Sequence, residues 1–201
     1  VVLPKYLKPQ YVKKSNLVRI GPKKDGGYIV DKRVIKKTKK IITCGLNDDW
    51  SFEKEFQDIN KECSISAYDH TVNKDFWVSR FKKDILSFLL LKKLTPRKIW
   101  DIFKYIEYCN FFSKINKHYQ KKIVFKKKSK NEITIKEILK NLKKIILKID
   151  IEGDEYKILN EINKNQKKIN LLIIEFHYVS KNFSKIKKFL SNSNFRIIHI
   201  H

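Results

Sequence analysis

Methionine is missing from this sequence altogether, even as an initiator, which predicts a start trimmed from a longer reading frame. Glycine and proline are scarce, five and four among 201 residues, which excludes collagen-like and low-complexity architectures. No Gly/Ser-rich or Pro-rich linker and no internal repeat divides the chain, so a single domain over 1–201 is expected. Long apolar runs are lacking too. The longest, Leu89 to Leu91 with its neighbours from Ile85, falls far short of the ~20 residues needed to cross a bilayer. Val1-Val2-Leu3-Pro4 opens no apolar h-region, so no secretory signal is expected. Three widely spaced cysteines, Cys44, Cys63 and Cys109, form no Cys-x-x-Cys pair and leave an odd thiol under any disulfide scheme. That pattern points to a reducing, cytoplasmic compartment.

Arginine is also rare, occurring only at Arg19, Arg33, Arg80, Arg97 and Arg196, so the formal charge of +25 is almost wholly lysine. Bidentate recognition of bases and phosphates favours arginine. The lysine comes with abundant Ile and Asn, and most of the charge reads as composition spread over solvated faces. No nucleic-acid partner is therefore expected, although weak contact with an acidic membrane surface is open at low salt. An apolar fraction of 42% suffices for a sizeable core.

Along the chain, short β-type runs at 17–20 and 28–30 flank a reversal over 21–27, which predicts an N-terminal hairpin within a 1–39 segment. Lys40–Cys44 reads as a buried strand followed at once by Gly45. Asp49 or Ser51 can cap a helix to about Ile59 with Phe52 and Phe56 on one face. Ser64–Tyr68 is the next strand, ending at Asp69. From Lys74 to about His118 the pattern is helical and broken at Pro96. Phe81, Ile85, Phe88 and Leu89 share one face, and Ile99, Phe103 and Ile106 resume it, a basic amphipathic pair within a 74–121 insertion suited to a lid or cap. Lys122–Phe125 reads as a short strand. Thr134-Ile135-Lys136-Glu137 has the form of a capping box, and Ile145–Ile149, Leu171–Phe176 and Phe195–Ile200 read as strands separated by helices. Alternating strands and helices predict an α/β fold: a mostly parallel sheet with helices on both faces.

In such sheets ligands bind beyond the carboxyl ends of the strands. Four polar clusters fall there: Gly45 to Asp49, Asp69-His70, Asp150 to Glu155, and Glu175-Phe176-His177.

Lys148-Ile149-Asp150-Ile151-Glu152-Gly153-Asp154-Glu155 closely resembles the signature of the FkbM-type methyltransferases that use S-adenosyl-L-methionine (SAM). The similarity extends to Ile173-Ile174-Glu175-Phe176-His177, to Arg19-Ile20-Gly21 with Asp25-Gly26-Gly27-Tyr28, and to Ser66-Ala67-Tyr68-Asp69-His70-Thr71. The resemblance implies a Rossmann-like class I methyltransferase fold, with the 74–121 insertion outside the shared part. It places Cys44, Gly45, Leu46 and Asn47, Asp69 with His70, and Gly26, Gly27 and Tyr28 on the cofactor, with Asp69 accepting the ribose hydroxyls. The sheet of that fold ends in a hairpin, so a continuation beyond His201 is expected.

Methyl transfer is an in-line displacement that needs the acceptor held about 3–3.5 Å from the methyl carbon. Asp150, at the tip of its strand, can stabilise the sulfonium, orient or deprotonate an acceptor hydroxyl, or ligate a metal, with Glu152 as its partner. Glu155 reads more simply as an acid in the first turn of a helix. His70 and His177 each follow a strand-end acid and are candidate general bases. His199 and His201 share a strand face but lack a third ligand, so no metal site is expected there. The reading that results is an O-methyltransferase, and the resemblance implies as its acceptor a hydroxyl on a sugar, surface glycan or secondary metabolite. Two alternatives compete: a metal-assisted glycosyltransferase using Asp150 and Glu152, and a non-enzymatic nucleic-acid-binding module with steep salt dependence.

Overall fold

A computed structural model describes residues 7–23, 26–90 and 96–200. The chain opens with the antiparallel hairpin β1 (Leu17–Ile20) and β2 (Tyr28–Asp31), followed by a short helix α1 (Lys32–Lys37) that the sequence pattern did not reveal. Asp31 caps α1 by accepting from the Arg33 N–H. Five parallel strands then build the sheet: β3 (Lys40–Cys44), β4 (Ser64–Tyr68), β5 (Lys117–Tyr119), β8 (Ile145–Ile149) and β9 (Ile169–Ile174), in the order β5-β4-β3-β8-β9. A separate two-stranded ladder joins β6 (Lys122–Ile123) to β7 (Glu132–Ile133). The result is a mixed α/β fold with a parallel sheet flanked by helices, compatible with a Rossmann-like architecture.

Side-chain alternation along the strands divides the core into two layers. Ile42, Cys44, Ile145, Leu147 and Ile149 face α5 (Ile135–Ile138), α6 (Glu155–Lys164) and α7 (Val179–Ser191), packing on Ile138, Ile158, Ile162 and Phe189. Ile41, Ile65, Ile146 and Ile173 face the opposite side, against Ile35 of α1, Phe52 and Phe56 of α2 (Ser51–Ile59), and Ile20 and Val30 of the hairpin. Phe52 and Phe56 are fully buried, and each such aromatic contributes on the order of 1.5–3 kcal/mol by leaving water. Asp49 Oδ1 accepts from the Ser51 N–H at 2.8 Å in the turn just before α2, but the N-cap of that helix is Trp50 and no side chain caps it, so neither Asp49 nor Ser51 is the cap the sequence suggests. The capping box at Thr134 and Glu137 forms as its sequence predicts.

Three stretches depart from the sequence reading. The helical stretch after Lys74 consists of α3 (Lys74–Leu89) and α4 (Pro96–Phe111), and then gives way to β5, which pairs with β4 as the edge of the sheet. Lys117-His118-Tyr119 carries no apolar run because an edge strand has one neighbour and two of its three side chains stay exposed. β9 begins two residues earlier than its apolar run suggested, which leaves Glu175 and Phe176 beyond the ladder. Phe195–Ile200 is not a strand: its alternation finds no ladder to join, and Ile197 O instead accepts from the Gln10 N–H at 2.7 Å. Asp25 of the hairpin reversal and His201 lie outside the described residues, as do the side chains of Phe88, Leu89 and Ile99.

Candidate functional site

The sheet order reverses direction between β3 and β8: the chain leaves β3 toward β4 and β5, then returns to the other side of β3 for β8 and β9. Such a switch point opens a crevice beyond the carboxyl ends of the strands. The crevice here is a cleft of about 690 Å³ bordered by Gly45 to Asp49, Asp69 to Thr71, Asp150 to Glu152, Glu175 and His177. This volume lies within the ~300–1,000 Å³ of ordinary small-ligand sites. The four polar clusters of the sequence therefore converge on one edge of the sheet.

At the switch point Gly45 has φ +87, and a Cβ there would lie 1.7 Å from the Asp150 carbonyl oxygen. Asp150 N–H donates to Cys44 O at 2.8 Å and Gly45 N–H to Tyr68 O at 3.0 Å. Glycine is thus required where the ends of β3 and β8 press together. Cys44 itself is fully buried under the floor, and burial pushes its thiol well above the ordinary range. Leu46 borders the cleft while packing on Trp50 and Trp77. Asn47, with φ 51, turns the loop. The neighbouring Asp48 is gripped by Arg80 of α3 and by Lys104 of α4 at 3.3 Å, so the helical pair fastens the cleft loop. Burial pushes the Asp48 carboxyl up, but these two cations outweigh it and hold it below the usual range.

Asp69 lies at the tip of β4 with both oxygens engaged by the protein. Oδ2 accepts from the backbone N–H groups of Leu46 at 2.9 Å and Asn47 at 3.0 Å. Oδ1 accepts from the Thr71 N–H at 2.7 Å and its hydroxyl at 2.6 Å. Burial pushes this carboxyl up, yet the four hydrogen bonds prevail and hold it below the ordinary range. His118 Nε2 lies 3.0 Å from Asp69 O, a contact that joins β5 to the same turn. His70 is exposed at the cleft rim. From β4 to β9 is three strand spacings, roughly 14 Å at ~4.8 Å each, so His70 and His177 occupy opposite ends of the cleft.

The other end is acidic. Tyr28, brought over by β2, donates its hydroxyl to Glu175 Oε2 at 2.8 Å, and the same oxygen lies 3.4 Å from Asp150 Oδ2. Burial, then the charges of Asp150 and Glu175, push the phenol far above its usual range, so Tyr28 acts as a donor. Burial, then the charge of Glu175, raises the Asp150 carboxyl, partly offset by Lys148 and His177. His177 Nε2 lies 3.7 Å from Asp150 Oδ1 and 3.5 Å from Glu152 Oε2. Glu152 and Gly153 both adopt left-handed backbone, φ 52 and 98, which carries the chain sharply from β8 into α6. Gly26 borders the cleft, whereas Gly27 is buried inside the hairpin turn, where a Cβ would lie 2.0 Å from Pro22 O.

Three further residues organise this end; sequence reasoning put Glu155 and Glu175 in the polar clusters at the strand ends without a role in the site, and gave Lys148 no place there. Glu155 is fully buried; it accepts from the Gly153 N–H at 2.8 Å and the His177 N–H at 2.7 Å. Glu175 stands between Tyr28 and Asp150; its signal was its place directly after an apolar strand. Lys148, 5% exposed, lies 3.4 Å from Glu53 Oε1, which also accepts from the Thr43 hydroxyl at 2.8 Å. Its ammonium sits over the rings of Phe52 and Tyr28 at 5.2 and 5.6 Å. A lysine inside an otherwise aliphatic strand was the legible sign of that pair.

Residues 101–197 match the family model described as the Methyltransferase FkbM domain. Neither a curated protein nor a solved structure matches the chain.

Proposed function

We propose that this chain, whose residues 101–197 belong to the FkbM methyltransferase domain family, is a SAM-dependent enzyme that methylates a hydroxyl on a sugar, surface glycan or secondary metabolite. The observation that carries the reading is the pair of acidic strand tips, Asp69 and Asp150, at one cleft over the switch point of a parallel sheet. The residues suit a cationic nucleoside: carboxylates stand at both ends, and no lysine or arginine among the described residues pairs with Asp150 or Glu152. The Gly45–Asn47 loop with Asp69 and His70 would hold the nucleoside part, and Asp150 would face the sulfonium. When bound, SAM supplies an electrophilic methyl group.

The chain's own residues do the rest. Because the protein already fills Asp69's four in-plane acceptor positions, its first task is to hold the Leu46–Asn47 backbone and Thr71 in place. The Thr71 hydroxyl can turn aside to admit a ribose hydroxyl. Asp150 accepts a hydrogen bond from the acceptor hydroxyl and aligns its lone pair. As the methyl group transfers, that hydrogen-bonded proton passes to Asp150, and Glu152, in contact with His177 and with its side chain 82% exposed, links this end of the cleft to bulk water. Tyr28, held protonated, keeps Asp150 and Glu175 at fixed positions. The family match does not favour the glycosyltransferase alternative.

Calorimetric titration with S-adenosylhomocysteine tests the reading. Binding in the micromolar range, followed by transfer of labelled methyl from SAM to a hydroxylated acceptor, is expected. Failure of both nucleosides to bind would overturn it.

A further inference from the structure

The acidic end of the cleft holds more negative charge than the proposed acceptor accounts for. One ligand atom each from Asp150, Glu175 and His177 lie within 4.8 Å of one another. Among the described residues, the ion-pair partner of Asp150 and Glu152 is His177 alone, and the nearby Lys148 is committed to Glu53. Lys148 and His177 offset the charge at Asp150 only in part, and two like charges held this close are costly to desolvate.

The histidine supplies an independent sign. His177 Nδ1 is buried and makes no hydrogen bond, yet it lies 3.5 Å from Oε1 of the fully buried Glu155. Its other ring nitrogen, Nε2, faces Asp150. A metal ion on Nε2 would keep the proton on Nδ1 and draw it to Glu155, the carboxylate–histidine–metal relay that orients metal-bound imidazoles. Tyr28 meanwhile donates its one proton to Glu175 Oε2 and lies 3.4 Å from Asp150 Oδ2, which leaves the other oxygen of each carboxylate for a further partner.

We infer that Asp150, Glu175 and His177 form a site for a single divalent cation of the Mn²⁺ or Mg²⁺ class, with Tyr28 and Glu155 as its supporting shell. Donors around one such ion at ~2.1–2.2 Å lie about 3 Å apart when adjacent, so the 3.7 Å between Nε2 and Oδ1 needs only a small contraction. Two carboxylates and one imidazole favour Mn²⁺ over Mg²⁺. A six-coordinate ion held by three protein atoms keeps about three positions open. The acceptor fitted to those positions presents two neighbouring oxygens, such as a vicinal diol. The role of the ion in catalysis rests on the methyltransferase reading; its binding does not. The net charge of +25 works against casual uptake of cations, so a bound Mn²⁺ requires a dedicated local site.

The full chain, stripped with EDTA and desalted, is titrated with MnCl₂ while the signal of free Mn²⁺ is followed by electron paramagnetic resonance. One saturable site per chain is expected. Asp150→Asn and Glu175→Gln should each weaken it roughly 10-fold or more, and Tyr28→Phe by a smaller factor. Pulsed measurements should show coupling to nitrogen that disappears in His177→Ala. Circular dichroism confirms that each variant is folded, and the conservative Asn and Gln changes keep the test available if His177→Ala is not. No saturable uptake up to about 1 mM, or full affinity in both carboxylate variants, would overturn the assignment. S-adenosylhomocysteine titrations run in parallel separate the two claims. Nucleoside binding without a Mn²⁺ site removes only the metal; a Mn²⁺ site without nucleoside binding removes only the methyltransferase reading.

Discussion

Glu155 at the first turn of α6 holds the backbone N–H of His177 at 2.7 Å, which fixes the loop after β9 to the turn after β8. The same carboxylate accepts from the Gly153 N–H, and Tyr156, the next residue, donates its hydroxyl to His177 O. The imidazole thus hangs from a backbone clamped on both sides by α6.

Removing that clamp leaves two N–H groups without their acceptor. Glu155→Ala is expected to cost about 2–6 kcal/mol, since each buried unsatisfied donor costs ~1–3 kcal/mol. Glu155→Gln, which retains one acceptor oxygen, should cost less. Urea denaturation of both variants measures the difference. Equal stability of the Ala variant and the parent would show that the clamp is not structural.

The buried Lys148–Glu53 pair predicts a strong non-additivity. Either Lys148→Met or Glu53→Leu should destabilise by roughly 3–5 kcal/mol, because the abandoned partner stays buried without full compensation. The double variant Lys148→Met with Glu53→Leu should recover a large share of that loss. A double-mutant cycle by denaturant titration reads the coupling, and simple additivity would contradict the pairing.

Gly45→Ala is expected to be worse than its single added methyl implies. Left-handed backbone alone costs an alanine about 1–2 kcal/mol, and its Cβ would meet the Asp150 carbonyl oxygen at 1.7 Å. Either β3 or β8 must shift at the switch point. The expected outcome is a lower melting temperature together with loss of S-adenosylhomocysteine binding. Retention of both would mean that the junction yields easily.

Asp69 ties stability to pH. Burial raises its carboxyl, but the bonds from Thr71, Leu46 and Asn47 lower it further, so the folded pKa lies below the unfolded value of ~3.9. Such a group stabilises fully above the unfolded pKa and loses that contribution as pH falls through the folded one. Asp69→Asn should therefore be less stable than the parent from pH 7 down to pH 5, by about 1–3 kcal/mol. The gap should close below roughly pH 4. Urea titrations across that range check it, and a constant gap would assign the effect to shape rather than charge.

Much of this arrangement was legible before any coordinates. β3, β4 and β8 announced themselves as short β-type runs stopped by Gly45, Asp69 and Asp150, and sheet geometry brings such stops to one edge. Glu155 was read as a helix-end acid, which it is. Its second bond, to the His177 N–H, spans 22 residues, and no local pattern carries that information. β5 stayed hidden because an edge strand of three mostly exposed residues has no periodicity to detect. Phe195–Ile200 erred the other way: alternation gives a segment the capacity to pair, while a strand also requires a neighbour in register.

Lys148 bears on how the chain finds its own pairing. Leu147 and Ile149 point toward α6, whereas Lys148 and Ile146 point toward α2, where Glu53 waits. Sliding β8 by a single residue would exchange the two sides and thrust an ammonium among aliphatic side chains, with Glu53 stranded opposite. Ile, Leu and Ile are nearly interchangeable in either layer, so the hydrocarbon alone discriminates weakly between the two alignments. One awkward cation makes the misaligned sheet intolerable, and it thereby proofreads the strand that carries Asp150 to its place.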